Sequence, residues 1–212
     1  MHRIDAAAIE RFGIPRLLLM EHAGLALARE THRLLPAHGR IVACCGMGFN
    51  GGDGLAAARH LSMWGHPVDV VLAGRLANLR DEPAVYANIL RRLRVRIIEV
   101  PARRSVARVE SSLRPEIVLD ALLGIGARGN VREPMASLIA WMNRQPAPIV
   151  SADIPSGLNG DTGAVQGLTV NAAVTVTFGA PKRGCLTGAG PAHAGRLIVD
   201  SISLPQRACL TP

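Results

Sequence analysis

At 212 residues, 49% of them hydrophobic, with a net charge of +8, the chain is long and apolar enough to build a real core and is not a disordered or acidic-tail protein. No apolar run reaches the length that crosses a bilayer, and Met1-His2-Arg3-Ile4-Asp5 lacks the apolar centre of a signal peptide, so a cytoplasmic protein without a membrane partner is expected. Aromatic residues make up 3%, too few for a base-stacking platform, and nucleic acid is not the expected ligand.

In chain order, the first segment reads as helix. Pro15 suits a first helical position, and Leu17, Leu18, Met20, Ala23, Leu25, Ala26, Leu27 and Leu34 form an apolar face. Ile41–Cys45 is an apolar run of strand type. It enters Gly46-Met47-Gly48-Phe49-Asn50-Gly51-Gly52-Asp53-Gly54, read as a glycine-rich turn, and a helix is expected over Gly52–Gly65. Pro67–Ala73 is a second strand, and Asp81–Leu93 a helix with Asp81 as its N-cap. Val95–Val100 is a third strand, and Ser105–Leu113 a short helix capped by Ser105. Glu116–Leu122 is a fourth strand, followed by a second glycine-rich turn, Gly124-Ile125-Gly126-Ala127-Arg128-Gly129-Asn130. Pro134–Asn143 is a helix. Pro148–Ala152 is a fifth strand that runs into Asp153-Ile154-Pro155-Ser156-Gly157, and Val170–Thr177 and Arg196–Val199 are later strands. Such alternation predicts an α/β fold with a mainly parallel sheet covered on both faces.

Glycine costs backbone entropy wherever it is ordered, so five glycines in nine positions call for another reason. Between a strand and a helix they let backbone N–H groups approach a ligand at the positive end of a helix dipole. Asp53 within the stretch would repel a phosphate set against it, which points to a cation, a sugar hydroxyl or a reacting group as well. Gly46, Gly48 and Gly51 match a dinucleotide fingerprint, but the next strand ends without the acid that holds a ribose, and Arg75 stands near that position instead. Three polar motifs follow predicted strand ends: Asn50–Asp53, Asp120 with Gly124–Asn130, and Asp153–Ser156. In a parallel sheet these ends share one rim, where ligands bind. Two carboxylates with Asn50 and Ser156 make an oxygen set for a hard cation, and their low formal charge suits a monovalent ion.

Other features are given structural readings. Cys44 and Cys45 are adjacent on a strand and point to opposite faces, Cys185 and Cys209 are isolated, and all four are expected as reduced thiols. The seven histidines are dispersed, without metal-ligand spacing, and Ser156 lacks a nucleophile elbow. Arg91, Arg92, Arg94, Arg96, Arg103, Arg104 and Arg108 are read as a solvated surface.

Taken together, six ordered motifs resemble the YjeF N-terminal domain family, the NAD(P)H-hydrate epimerases. They are Leu19-Met20-Glu21-His22-Ala23-Gly24, the Gly46–Gly54 stretch, Asp120-Ala121-Leu122-Leu123-Gly124-Ile125-Gly126, Val131-Arg132-Glu133-Pro134, Asp153 to Gly163, and Thr175 to Gly184. The resemblance implies a Rossmann-like three-layer αβα sandwich over residues 1–212, with N-terminal helices in 1–36 and an α/β core in 37–204. It also implies a homodimer and interconversion of the R and S forms of hydrated NADH and NADPH (NADHX and NADPHX), a step in cofactor repair. The hydrate would contact Phe49, Asn50, Gly51, Gly52, Asp53, Gly124, Ile125, Gly126, Ala127, Arg128, Gly129, Asn130 and Asp153. One potassium ion per subunit would be held by Asn50, Asp120 and Ser156. Asp153, at a strand end, is the expected acid/base, and a separate dehydratase would remove the water. Two positions depart from the family pattern: Phe49 and His22 each stand where an asparagine is usual. The rival expectation is a weakly active or inactive ligand-binding module of the same fold with a protein or RNA partner. A dehydrogenase is a third.

Overall fold

The computed structural model of the protein describes residues 8–35 and 39–205. Seven strands form one sheet: β1 (Ile41–Cys45), β2 (Val68–Leu72), β3 (Arg96–Glu99), β4 (Ile117–Ala121), β5 (Ile149–Ala152), β6 (Val174–Phe178) and β7 (Arg196–Asp200). Their order is β3-β2-β1-β4-β5-β6-β7, and each neighbouring pair is parallel.

The central strands are near-continuous apolar runs because both faces of a parallel sheet are covered. In β1, Ile41, Ala43 and Cys45 face one layer, and Val42 and Cys44 face the other. The first layer holds α1 (Arg16–Leu34), α2 (Phe49–Met63) and α3 (Asp81–Arg92). The second holds α4 (Val106–Ser112) and α5 (Met135–Asn143), which supply Val106, Val109, Leu138, Ile139 and Met142. The result is an αβα sandwich. The chain leaves β1 toward β2 and β3, then returns to β1's other side as β4. The order therefore reverses between β1 and β4, where an open α/β sheet has its crevice. Two short helices, α6 (Arg183–Leu186) and α7 (Gly190–Ala194), connect β6 to β7. Among the described residues no helix is long and apolar enough to cross a membrane.

Several element edges differ from the expectation, for local reasons. Helix α2 begins at Phe49, three residues before the expected start at Gly52, so Phe49, Asn50 and Gly51 lie in its first turn and not in the glycine-rich turn before it. Gly51 is required there by close approach, since a Cβ on it would lie 2.0 Å from the Gly46 carbonyl oxygen. Asp81 is not an N-cap: it is the first residue of α3, at φ +51°, and Arg80 occupies the cap position without a side-chain bond. Pro83 removes one of the N–H groups that a capping carboxylate would take. Ser105 stands at the cap of α4 but makes no side-chain cap bond. Pro15 is the cap residue of α1, one position before the expected site. Strand β6 starts at Val174 and not at Val170, because the N–H groups of Val170 and Ala172 go to the carbonyls of Ser156 and His193, away from any single neighbouring strand. Cys44, Cys45 and Cys185 are buried free thiols, and Cys209 lies outside the described residues. The seven arginines between Arg91 and Arg108 are all exposed.

Candidate functional site

A cavity of about 510 Å3 opens at the carboxyl ends of the central strands. Its wall is built from Gly46 to Gly51 and Asp53 after β1, Leu122 to Ala127 after β4, Asp153 after β5, and Phe178 at the end of β6. Arg16, Leu19, Met20 and Ala23 of α1 close another side. Most of the wall is apolar, which suits a ring-bearing ligand oriented by a few polar groups.

Asp120 sits in β4 with no exposed surface. Its Oδ1 accepts from Ser156 Oγ at 2.6 Å and from the Leu122 N–H at 3.3 Å. Its Oδ2 accepts from Ser151 Oγ at 2.8 Å and from the Ser156 N–H at 2.9 Å. Burial raises the pKa of Asp120 above the ordinary carboxylate value, and the bonds from Ser156, Ser151 and Leu122 oppose that rise. Ser156 Oγ also accepts from the Leu123 N–H at 2.9 Å, tying the β5 loop to the β4 loop.

Asn50 lies in the first turn of α2 against the backbone of Gly124, where an added Cβ would stand 3.3 Å from Asn50 Cγ. Its buried amide nitrogen has no hydrogen-bond partner among the described residues. A buried N–H donor without a partner calls for an acceptor on a bound ligand, while the amide oxygen of the same side chain is the atom a cation would use. The donor set of Asn50, Asp120 and Ser156, one carboxylate with two neutral groups, chemically fits a hard monovalent cation.

Asp153 is the best-prepared reacting group. It follows β5 directly, and its N–H continues the ladder to the Val176 carbonyl at 2.7 Å. Its φ of +64° is left-handed, a conformation that Asp tolerates better than most residues and that recurs at functional sites. The turn directs a carboxylate, 8% exposed, into the cavity wall. Its bonds converge on Oδ1: an ion pair from Lys182 Nζ, the Phe178 N–H at 3.1 Å and Thr177 Oγ1 at 3.4 Å. Lys182 is itself buried and donates to the Phe178 carbonyl at 2.7 Å. One oxygen is anchored, and Oδ2 takes no hydrogen bond from the described residues.

The expected site residues divide between the cavity and its surroundings. Phe49, Asn50, Gly51, Asp53, Gly124, Ile125, Gly126, Ala127 and Asp153 line the cavity. Asp120 and Ser156 form the buried layer behind it. Gly52 faces α1, where an added Cβ would stand 2.6 Å from Met20 Cε. Arg128, Gly129 and Asn130 are exposed and lie outside the wall; Arg128 donates to the Ile125 carbonyl and stands 3.7 Å from Asp161. The two unusual positions also differ in place. Phe49 is in the wall, 48% exposed, whereas His22 lies 3.4 Å from the Ile202 carbonyl and is not in it. Sequence reasoning missed Lys182 as a site residue. The available signal was that it is the only lysine among 24 basic residues.

The sequence pattern of the family described as YjeF-related protein N-terminus matches residues 16–184. The chain is 41% identical over 218 residues to the bifunctional NAD(P)H-hydrate repair enzyme Nnr of Salinibacter ruber, covering 97% of this chain but 40% of that protein. It thus spans about two fifths of that relative's length. It is 39% identical over 199 residues to the NAD(P)H-hydrate epimerase of Limosilactobacillus fermentum, covering 94% of this chain and 92% of that protein. The crystal structure of yeast ynu0, YNL200c, superposes with a TM-score of 0.77 at 25% identity, covering 86% of this chain and 79% of that one.

Proposed function

Because the chain belongs to the YjeF-related N-terminus family, we propose that it is an isomerase that interconverts the R and S epimers of hydrated NADH and NADPH. The observation that carries the reading is Asp153, a carboxylate anchored through one oxygen in the wall of a largely apolar cavity. The hydrated ring carbon bears a hydroxyl next to the ring nitrogen. The Asp153–Lys182 pair gives a proton, through the Asp153 carboxylate, to that hydroxyl as the C–O bond breaks, and the nitrogen lone pair supports the cation left on the ring. Water then adds to the opposite face and the proton it releases returns to the pair, so the centre inverts and no atom is gained or lost. Lys182 and the Phe178 N–H hold the carboxylate in place.

Asn50, Asp120 and Ser156 are the residues that would hold a potassium ion. When bound, the ion would offset the buried charge of Asp120 and tie the loops after β1, β4 and β5 together.

The test is to incubate purified protein with each separated epimer and follow their ratio. The parent protein brings either one to the equilibrium mixture. Asp153→Asn keeps the side-chain shape and the left-handed backbone but cannot shuttle a proton, and should slow epimerisation by about 100- to 10,000-fold. An Asp153→Asn protein that equilibrates the epimers at the parent rate contradicts the assignment.

A further inference from the structure

The cavity wall carries an unusual cation. Arg16 is the only basic residue lining it among the described residues, while Asp53 and Asp153 are its acids. The Arg16 guanidinium carbon lies 4.5 Å from the centre of the Phe49 ring, and both residues belong to the wall. A half-exposed phenylalanine under a guanidinium is a holder: the ring face attracts the charge and limits where the long side chain can point.

Two helix starts meet at this cation. Arg16 is the first residue of α1, and Phe49 is the first residue of α2. Neither helix has an acid in its first turn or a side-chain cap bond. A positive side chain at the positive ends of two helices is unfavourable by itself. Among the described residues the one acid paired with it is Glu82, whose carboxylate is at 4.0 Å, beyond hydrogen-bond distance. The guanidinium makes no hydrogen bond among the described residues, so its N–H donors remain for an anion that enters the cavity.

We propose that Arg16, steadied by the face of Phe49, binds the diphosphate of the dinucleotide substrate at the cavity mouth, while the hydrated ring reaches Asp153. This rests on the epimerase reading above. It assigns to the wall the anion-binding role that Asp53 cannot fill, and it makes Arg16 and Phe49 determinants of dinucleotide binding and not of the chemistry. A guanidinium suits a diphosphate because it donates two parallel, charge-assisted hydrogen bonds.

The experiment uses ADP-ribose, which carries the diphosphate without the hydrated ring, and nicotinamide riboside in its reduced form, which carries an uncharged ring and the ribose without the diphosphate. Binding of both is measured by calorimetry to the parent protein and to Arg16→Gln, Arg16→Lys and Phe49→Leu, and epimerisation kinetics are measured on the same proteins. Arg16→Gln should weaken ADP-ribose binding about 10- to 100-fold. Arg16→Lys should recover part of that loss, Phe49→Leu should give a smaller one, and nicotinamide riboside binding should not change. KM for the hydrate should rise in Arg16→Gln with kcat retained, because the interaction is the same in ground and transition states. If the parent epimerises and Arg16→Gln binds ADP-ribose as tightly as the parent, the diphosphate assignment is overturned while the epimerase reading stands. If kcat falls in Arg16→Gln with KM unchanged, the assignment is likewise overturned. If the parent neither epimerises nor binds ADP-ribose, both readings fall together.

Discussion

Asp120 illustrates how one residue can be committed to a single chemical form. Each of its oxygens accepts a backbone N–H, Oδ1 from Leu122 and Oδ2 from Ser156. Hydroxyl donors can rotate away, but these two N–H groups cannot. In Asp120→Asn, whichever way the amide is turned, its NH2 group must face one of them. The mismatch leaves a buried donor unsatisfied, so Asp120→Asn should lower stability by about 1–3 kcal/mol, read from denaturant unfolding. An unchanged unfolding midpoint would show that the carboxylate network relaxes freely. Asp153 follows a different logic. Its bonds gather on Oδ1 and its backbone is left-handed, so its environment orients the group without saturating it.

Helix α2 does more for the site than any other element. Its first turn supplies Phe49, Asn50 and Gly51 to the cavity, and its body packs on the sheet next to β1 and β4. That packing is close because Gly54 has no side chain: an added Cβ would meet Ala121 Cβ at 2.5 Å and Cys45 Sγ at 2.9 Å. These neighbours belong to buried strands and cannot swing aside. Gly54→Ala should therefore push α2 off the sheet, costing about 1–3 kcal/mol by overpacking. Because the same helix carries Asn50 toward the β4 loop, epimerisation should fall alongside the thermal midpoint. A Gly54→Ala protein as stable and active as the parent would mean that α2 is free to shift. Helix α1 is fixed to α2 and α3 by Glu21, which pairs with Arg59 and accepts from Tyr86 Oη at 2.9 Å. That clamp keeps Arg16, Leu19, Met20 and Ala23 against the cavity.

At the scale of the whole molecule, two imidazoles away from the cavity contribute to the response to pH. Burial and the neighbouring Arg59 lower the pKa of His60 below its ordinary 6.5, against the opposing pull of Glu21. Burial and His32, whose Nδ1 lies 2.9 Å from His66 Nε2, lower the pKa of His66 as well. A base with a depressed folded-state pKa binds protons more readily when unfolded. Its contribution to stability is therefore complete above pH 6.5 and is lost as pH falls through the lower folded value. The urea midpoint should be lower at about pH 5.5 than at about pH 7.5, and replacing both histidines by glutamine should flatten the difference. A midpoint that rises on acidification would reverse the sign and contradict this account.

The sequence alone was enough to establish a parallel α/β sandwich and the strand ends that carry polar groups. Ile41–Cys45 and Ile117–Ala121 are apolar at nearly every position, as strands buried on both faces must be, and Asn50, Asp120 and Asp153 stand at or just beyond such runs. Helix starts were less legible: Asp81 looked like a cap, but Pro83 had removed a capping partner, and Phe49 to Gly51 looked like part of a turn, although they open a helix. Only the tertiary structure decided that Lys182 anchors Asp153, that Phe49 belongs to the cavity while His22 does not, and that α1 forms one of its walls. Residue type and periodicity report how one segment meets solvent or core. Which distant side chains meet depends on strand order and helix placement, and those emerge only when the whole core packs.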